Sequence, residues 1–253
     1  MILTGSNRGM GVAFAEQLAT QGCHLHLLAR DLASIDTGHY QSLGAASART
    51  WQVDLADAGS IGEFLVAFEG AGCTADILVN NAGLFTAGLL EEQPVDDIYQ
   101  MLSVNLAGLM HLTRGLLPGM LQQRSGKIVN NASISGRNFF PCSSTYAASK
   151  AGVVAFTESI KQELRGTGVS TLLLMTAGVK TDMFDSMEGF IGDKMNLERI
   201  SAVAPQVWAR KLVEALEDDR EVLMPGGVES LLLHVGRHFP RLFQLLVRTQ
   251  FRR

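Results

Sequence analysis

The sequence predicts an α/β fold, a doubly wound parallel sheet formed by a single domain over residues 1–253. Short apolar runs alternate with longer segments of helical periodicity, six strands in all. Glycines and small polar residues gather where the apolar runs stop, which is the end at which an open parallel sheet binds ligands. With 253 residues, 47% hydrophobic and 18% charged, the chain is long enough to bury one sizeable core.

Ile2-Leu3 opens the first strand, which runs into Thr4-Gly5-Ser6-Asn7-Arg8-Gly9-Met10-Gly11 before a helix over Val12 to Gln21. Strand, glycine turn and helix together form a phosphate cradle. Glycine lets the backbone approach a pyrophosphate, and the helix N-terminus offers unpaired N–H groups and a positive dipole. Gly5, Ser6, Asn7, Arg8, Gly9, Met10 and Gly11 are therefore candidate cofactor ligands. The second strand, His24 to Ala29, ends where an adenosine ribose would lie. A carboxylate there would suit the free 2'-hydroxyl of NAD, but the chain supplies Ala29 followed by Arg30. With Arg8, Arg30 predicts a cationic clamp for the 2'-phosphate of NADP. Asp31 is the complication, since it could accept from a hydroxyl or pair with an arginine.

A third strand, Thr50 to Val53, leads to Asp54-Leu55, whose side chains could border the adenine, and Asp54 could at the same time cap the helix over 57–71. Ile77 to Val79 form a buried strand entering Asn80-Asn81-Ala82-Gly83, whose amides could fix either the central sheet or the cofactor. A helix near Glu92 to Leu102 precedes a long apolar helix reaching about Gln123. Asn105 falls inside it and needs a local reason, because asparagine is a poor helix former. The strand from Lys127 ends in Ala132-Ser133, and a loop over Gly136 to Thr145 brings Tyr146 toward the same pocket as Ser133. A helix over Ala147 to Arg165, a strand over Ser170 to Met175 and a turn at Thr176 to Thr181 follow.

Tyr146 and Lys150 are four residues apart and so share one helix face. A free phenol titrates near about 10, so neutral-pH acid chemistry needs a partner; a lysine cation beside it should lower that value. Residues 182–200 have no clean period. Met183, Phe184, Met187, Phe190 and Met195 there suggest an apolar substrate pocket or simply a packed helix pair.

Composition narrows the function. The formal net charge is -4, with a sequence pI of about 5.9, which gives no electrostatic reason to expect nucleic-acid binding. Cys23, Cys73 and Cys142 are odd in number and widely spaced, so neither a disulfide framework nor a zinc site is expected, and a reducing cytoplasm is the simplest setting. The early glycine turn leaves no space in this sequence for a leader peptide, and no apolar run is long enough for a spanning helix. The tail from Ser230 to Arg253 carries Arg237, Arg241, Arg248, Arg252 and Arg253 with no acidic residue, a charge of +5 that leaves -9 for the remainder. Leucines, valines and phenylalanines run between those arginines. Such a basic amphipathic helix suits packing on its own domain or a sister subunit, with peripheral contact to an anionic membrane as the alternative. His234 and His238 share a helix face, but without a third ligand beside them no metal is expected.

Thr4-Gly-x-x-x-Gly-x-Gly11, Asn80-Asn-Ala-Gly83, Asn105, Ser133 and Tyr146-x-x-x-Lys150 match, in order and spacing, the motifs of the short-chain dehydrogenase/reductase family, which the sequence resembles over most of its length. The resemblance implies a Rossmann fold and hydride exchange between a nicotinamide and a carbonyl or alcohol, with no metal. It implies Tyr146 as general acid in reduction and Ser133 as the donor steadying the carbonyl oxygen. Lys150 becomes tuner and nicotinamide-ribose ligand, and Asn105 the holder of a water that relays protons to Lys150. The Val179 backbone and Thr181 hydroxyl would reach the nicotinamide amide. Residues 182–200 would form a substrate lid, and a homodimer or homotetramer would assemble through the helices near 105–123 and 147–165. Ala177-Gly178 departs from the Pro-Gly common after the sixth strand, so a looser turn is expected there. The expected activity is NADP-dependent reduction of an apolar ketone or aldehyde, with NAD(H) less favoured; the alternative is a non-catalytic dinucleotide sensor or scaffold.

Overall fold

The seven strands of the main sheet all run parallel, which forces each connection to cross over one face or the other. The computed structural model describes residues 1–195 and 201–253. In chain order the strands are β1 (Ile2–Thr4), β2 (His24–Ala29), β3 (Ser47–Gln52), β4 (Ile77–Asn80), β5 (Gly126–Asn131), β6 (Val169–Leu174), β7 (Gly178–Val179), β8 (Ala202–Val203) and β9 (Val222–Leu223). The helices are α1 (Gly9–Ala19), α2 (Thr37–Ser42), α3 (Ala58–Gly70), α4 (Val95–Leu102), α5 (Leu109–Gln123), α6 (Ser144–Glu163), α7 (Asp182–Asp185), α8 (Met187–Ile191), α9 (Pro205–Glu217), α10 (Gly227–His238) and α11 (Pro240–Arg248).

The main sheet has the order β3-β2-β1-β4-β5-β6-β9, while β7 and β8 pair separately. The chain winds outward from β1 to β3, then returns and winds the other way from β4. The crevice for a ligand therefore opens between β1 and β4, beyond their C-terminal ends. Strands buried on both faces explain the near-continuous apolar runs. One face packs Phe14, Leu18, Trp208 and Leu212 of α1 and α9 against the sheet. The other packs Phe64, Phe68, Leu112, Leu116 and Ile160 of α3, α5 and α6.

Several boundaries differ from the sequence reading for local reasons. The first helix begins at Gly9 because the second half of the glycine turn already belongs to it. The third strand begins earlier, at Ser47; it is a sheet edge, half exposed along its length, so it lacks the apolar run that marks a buried strand. Asp57 rather than Asp54 caps α3, accepting from the Gly59 amide at 2.8 Å. The long helix expected through Asn105 is interrupted by a wider π-helical turn over Ser103–Gly108. The expected single amphipathic tail is two helices, since Pro240 cannot continue α10. Its inner side packs on its own domain through Leu233 and Phe243, while Leu231, Phe239, Leu242 and Leu245 stay exposed. Among the described residues no helix is long and apolar enough to cross a membrane.

Candidate active site

A single cavity of about 1050 Å³ runs along the C-terminal ends of β1, β2 and β4 to β6, from Arg30 at one end to the tail helices at the other. Its cradle is built by glycine. Gly5 and Gly9 have φ of +64° and +55°, in the left-handed region. A Cβ on Gly11 would stand 1.8 Å from the Gly5 carbonyl oxygen, and one on Gly5 2.8 Å from the Ala82 Cα. Only bare backbone fits, and the N-cap position of α1, Arg8, makes no side-chain cap bond to the first-turn amides. Gly5, Asn7, Arg8, Gly9, Met10 and Gly11 line the cavity. Ser6 does not; it is fully buried, and its hydroxyl and amide bond the Leu28 carbonyl, tying the turn to β2. The cradle thus fits a dinucleotide phosphate, with Ser6 as scaffold rather than ligand.

Arg8, Arg30 and Asp31 meet at the ribose end of the cavity. Asp31 Oδ1 accepts from the Ala33 amide at 2.9 Å in an Asx turn, while the residue still lines the cavity. Both arginines are exposed, and among the described residues neither has an ion-pair partner. Two cations at this end suit a 2'-phosphate, and the second Asp31 oxygen can still accept from a hydroxyl. Asp54 and Leu55 border the next part of the cavity, Asp54 holding its turn through the Ala56 amide.

The asparagines at the strand ends serve the sheet. Asn80 Nδ2 donates to Thr113 Oγ1 at 3.0 Å and to Asn130 Oδ1 at 2.9 Å, and Asn130 Nδ2 donates to Thr157 Oγ1 at 2.9 Å. Asn81 Nδ2 donates to the Thr4 carbonyl at 3.1 Å, and its Oδ1 accepts from Asn131 Nδ2 at 3.1 Å. Thr4 Oγ1 accepts from the amides of both Asn81 and Ala82 at 3.0 Å. This lattice fixes the backbone of Asn81, Ala82 and Gly83 at the cavity wall, so that backbone rather than the Asn81 amide faces a ligand.

The catalytic candidates divide in the same way. Ser133, Tyr146 and Lys150 line the cavity. Asn105 does not. It is buried in the π-helical turn, where its Oδ1 accepts from the Leu84 amide at 2.7 Å and its Nδ2 donates to the Leu84 carbonyl at 2.9 Å and to Ser149 Oγ at 3.1 Å. That is the local reason for an asparagine there: it pins the loop after Gly83 to the helix carrying Tyr146 and Lys150, and its side chain is spent on doing so. Ser133 Oγ accepts from the Ser135 amide at 3.1 Å, which orients the hydroxyl. Lys150 is 4% exposed, and its ammonium donates to the Asn131 carbonyl at 2.8 Å.

Charge at this pair follows burial. Desolvation pushes the Tyr146 phenol up to about 12, only partly opposed by the neighbouring Ser133 hydroxyl. Desolvation also brings the Lys150 ammonium down to about 8. The expected lowering of the phenol by the lysine is not what this geometry gives. Lys150 Nζ lies 5.9 Å from the Tyr146 ring centroid and is committed to Asn131, so burial outweighs attraction. The Tyr146 ring is further held edge-on by Phe85, with centroids 4.9 Å apart.

Val179 and Thr181 reach the cavity as expected, Thr181 lying close against Gly9. The Thr181 hydroxyl donates to the Val179 carbonyl at 3.1 Å and caps α7. The turn at Ala177-Gly178 is not loose, because β7 pairs with β8 and a Cβ on Gly178 would stand 2.3 Å from the Ser201 carbonyl oxygen. Of the expected pocket residues, Met183, Phe184, Met187 and Met195 line the apolar end, joined by Ile191; Phe190 does not and packs on Phe85 instead, with centroids 5.9 Å apart, while 196–200 lie outside the described residues. Sequence reading missed Phe85, Phe140 and Phe243, which line the same end. Phe85 follows the Asn-Asn-Ala-Gly motif directly and was within reach of a local argument; Phe243 is brought in by a long-range contact that leaves no local pattern.

Comparison with known proteins follows the same lines. A family model described as short chain dehydrogenase matches residues 1–189. A ketoacyl reductase of a Nostoc species is 32% identical over 249 residues, covering 95% of this chain and 85% of that protein. A 3-oxoacyl-acyl-carrier-protein reductase of Haemophilus influenzae is 29% identical over 240 residues, 93% of this chain and 95% of that one. Among solved structures, a metagenomic short-chain oxidoreductase in complex with NADP superposes with a TM-score of 0.71 at 26% identity, over 84% of this chain and 88% of the other. The alcohol dehydrogenase of the archaeon Thermococcus sibiricus, complexed with 5-hydroxy-NADP, gives 0.78 at 25% identity, over 90% and 96%.

Proposed function

The chain belongs to the short-chain dehydrogenase/reductase family and is an NAD(P)-dependent oxidoreductase, and from that premise we propose that it reduces an apolar ketone or aldehyde with NADPH. The observation that carries the reading is one continuous cavity joining the glycine cradle, the arginines Arg8 and Arg30, the Ser133 and Tyr146 hydroxyls and an apolar end. Two of the similar proteins are named for reduction of ketoacyl groups, carbonyls borne on chains. That supports an apolar carbonyl here.

Bound along the cradle, NADP(H) supplies or takes up the hydride that the substrate carbon exchanges. The protein's part is binding and proton handling. Arg8 and Arg30 would hold the 2'-phosphate, the amides of the glycine turn other than those of Ser6 and Gly11, which are bonded to Leu28 and Arg8, would hold the pyrophosphate, and Val179 and Thr181 would lie at the nicotinamide end. As the carbonyl oxygen gains negative charge, the Ser133 and Tyr146 hydroxyls donate to it, and Tyr146 then gives up its proton. A phenol near 12 is loaded at every physiological pH and is still far more acidic than an alcohol, so the transfer to an alkoxide is downhill. Lys150, when protonated, steadies the phenolate left behind. Asn105 acts as a positioning residue, through Leu84 and Ser149.

The rival reading, a dinucleotide sensor without turnover, has no use for two hydroxyls and an ammonium gathered beside an apolar chamber. The experiment that separates them is a panel of ketones and aldehydes monitored by NADPH oxidation, with NADH in parallel. Turnover with NADPH preferred supports the proposal; tight NADPH binding with no turnover of any carbonyl selects the sensor.

A further inference from the structure

We propose that the C-terminal helix pair α10–α11 is a wall of the substrate chamber and that Phe243 is a specificity-determining residue, limiting how long an apolar chain a carbonyl substrate can carry past Tyr146. The inference rests on the carbonyl-reductase reading and adds the feature that selects among carbonyls.

The tail is built into the body rather than appended to it. Leu233 of α10 is buried with Ala132, Val153 and Met175, beside the strand end that presents Ser133. Gly236 lies so close to the loop between Ser133 and Tyr146 that a Cβ there would stand 2.0 Å from Asn138 Oδ1. Glycine at this one position lets α10 rest on the catalytic loop. Pro240 then turns the chain back, and Phe243 of α11, 5% exposed, meets Phe140 of the same loop edge-on, with centroids 5.5 Å apart. Phe243, Val247 and Gln250 face the cavity that also holds Ser133 and Tyr146.

The end of the tail is fastened to the lid. Phe251 bridges Met195 in antiparallel fashion, and the Arg252 amide donates to the Lys194 carbonyl at 2.9 Å. Arg253 pairs with Glu91, and Lys194 with Glu92 at 3.1 Å. Phe251 packs with Phe85, Met187, Phe190 and Ile191 in one apolar cluster. Arg253 at the end of the tail and Lys194 of the lid therefore meet neighbouring acidic residues of the same turn before α4, which ties tail and lid to one anchor. A chamber lined by Phe85, Phe140, Met183, Met187, Phe243 and Val247 offers extended apolar contact, with Phe243 and Phe140 in contact at its wall. An unbranched chain is the substrate shape that uses such a slot.

Burying one methylene is worth roughly a fourfold gain in affinity, so opening the slot by a ring should favour longer chains by about tenfold or more. The test compares wild type, Phe243→Ala and Phe243→Trp on methyl ketones of graded chain length, with NADPH affinity and thermal unfolding measured alongside. The expected result is a shift of the kcat/KM optimum toward longer ketones in Phe243→Ala and toward shorter ones in Phe243→Trp, carried mainly by KM, with NADPH affinity unchanged. Folded variants with the wild-type length profile would overturn the proposal. A second arm needs no turnover: saturated alkyl carboxamides of graded length are titrated into the NADPH-bound protein by calorimetry. If no ketone is reduced yet amide binding shows the Phe243-dependent length profile, the reductase reading falls and the wall stands. If ketones are reduced but neither profile depends on Phe243, or if no ketone is reduced and no amide of any length binds, the wall falls.

Discussion

Replacing Lys150 by methionine should disable the enzyme and relieve a stability cost that the fold carries for its sake. Held at about 8 instead of 10.5, the buried ammonium destabilises the folded state by about 3 kcal/mol at neutral pH, at about 1.4 kcal/mol for each tenfold change in proton affinity. Losing its hydrogen bond to the Asn131 carbonyl returns about 1–2 kcal/mol of that. The variant is therefore expected to be about 1–2 kcal/mol more stable at pH 7. The pH dependence is the sharper signature. The folded-state value is lowered, so the unfolded chain binds the extra proton between about 8 and 10.5, and stability rises with pH as the penalty lifts. Between pH 7 and 9 wild type should gain about 1 kcal/mol relative to Lys150→Met. Urea unfolding at the two pH values, with and without the substitution, reads both quantities. A variant less stable than wild type at pH 7, with the same pH slope, would mean that the buried Lys150 ammonium carries no such cost.

Three further outcomes follow from the same geometry. Arg30→Ala, which removes half of the proposed 2'-phosphate clamp, should lower NADPH affinity about ten- to a hundredfold and leave NADH affinity nearly unchanged, and fluorescence titration with both cofactors would expose an unchanged ratio. Gly11→Ala puts a Cβ against the Gly5 carbonyl oxygen; it should cost about 2 kcal/mol or more of stability and abolish dinucleotide binding, read by thermal unfolding with and without NADPH. Carbonyl reduction should decline as pH rises through about 8, where Lys150 loses its proton, although Tyr146 remains protonated to about 12. A kcat/KM profile with NADPH that stays flat to pH 10 would contradict that assignment.

Much of the sheet was legible because its strands are short apolar runs ending in turn residues, and the C-terminal positions of those runs located the crevice. What escaped has physical causes. β3 is an edge strand, half exposed, and carries no apolar run over Ser47 to Arg49. A π-helical turn adds one residue to a helix without changing its composition, so Ser103–Gly108 read as ordinary helix. Ser6, Asn81 and Asn105 lie in or beside site motifs yet spend their side chains on Leu28, Thr4, Leu84 and Ser149, a division of labour that spacing cannot express. The sign of the Tyr146 shift depended on burial and on where the Lys150 ammonium points. Spacing shows only that the two share a face. Pro240 marked the break in the tail, but the meeting of Phe243 with Phe140 joins residues about a hundred positions apart.

In the proposed carbonyl reduction by NADPH, Tyr146 delivers the proton. The most direct test of that role is Tyr146→Phe, which keeps the ring packed on Phe85 and removes only the hydroxyl. Stopped-flow mixing of the NADPH complex with a ketone that wild type reduces should show unchanged NADPH affinity and a single-turnover rate lowered by about a thousandfold or more. Reduction of the ketone by the variant at the wild-type rate would mean that another group delivers the proton.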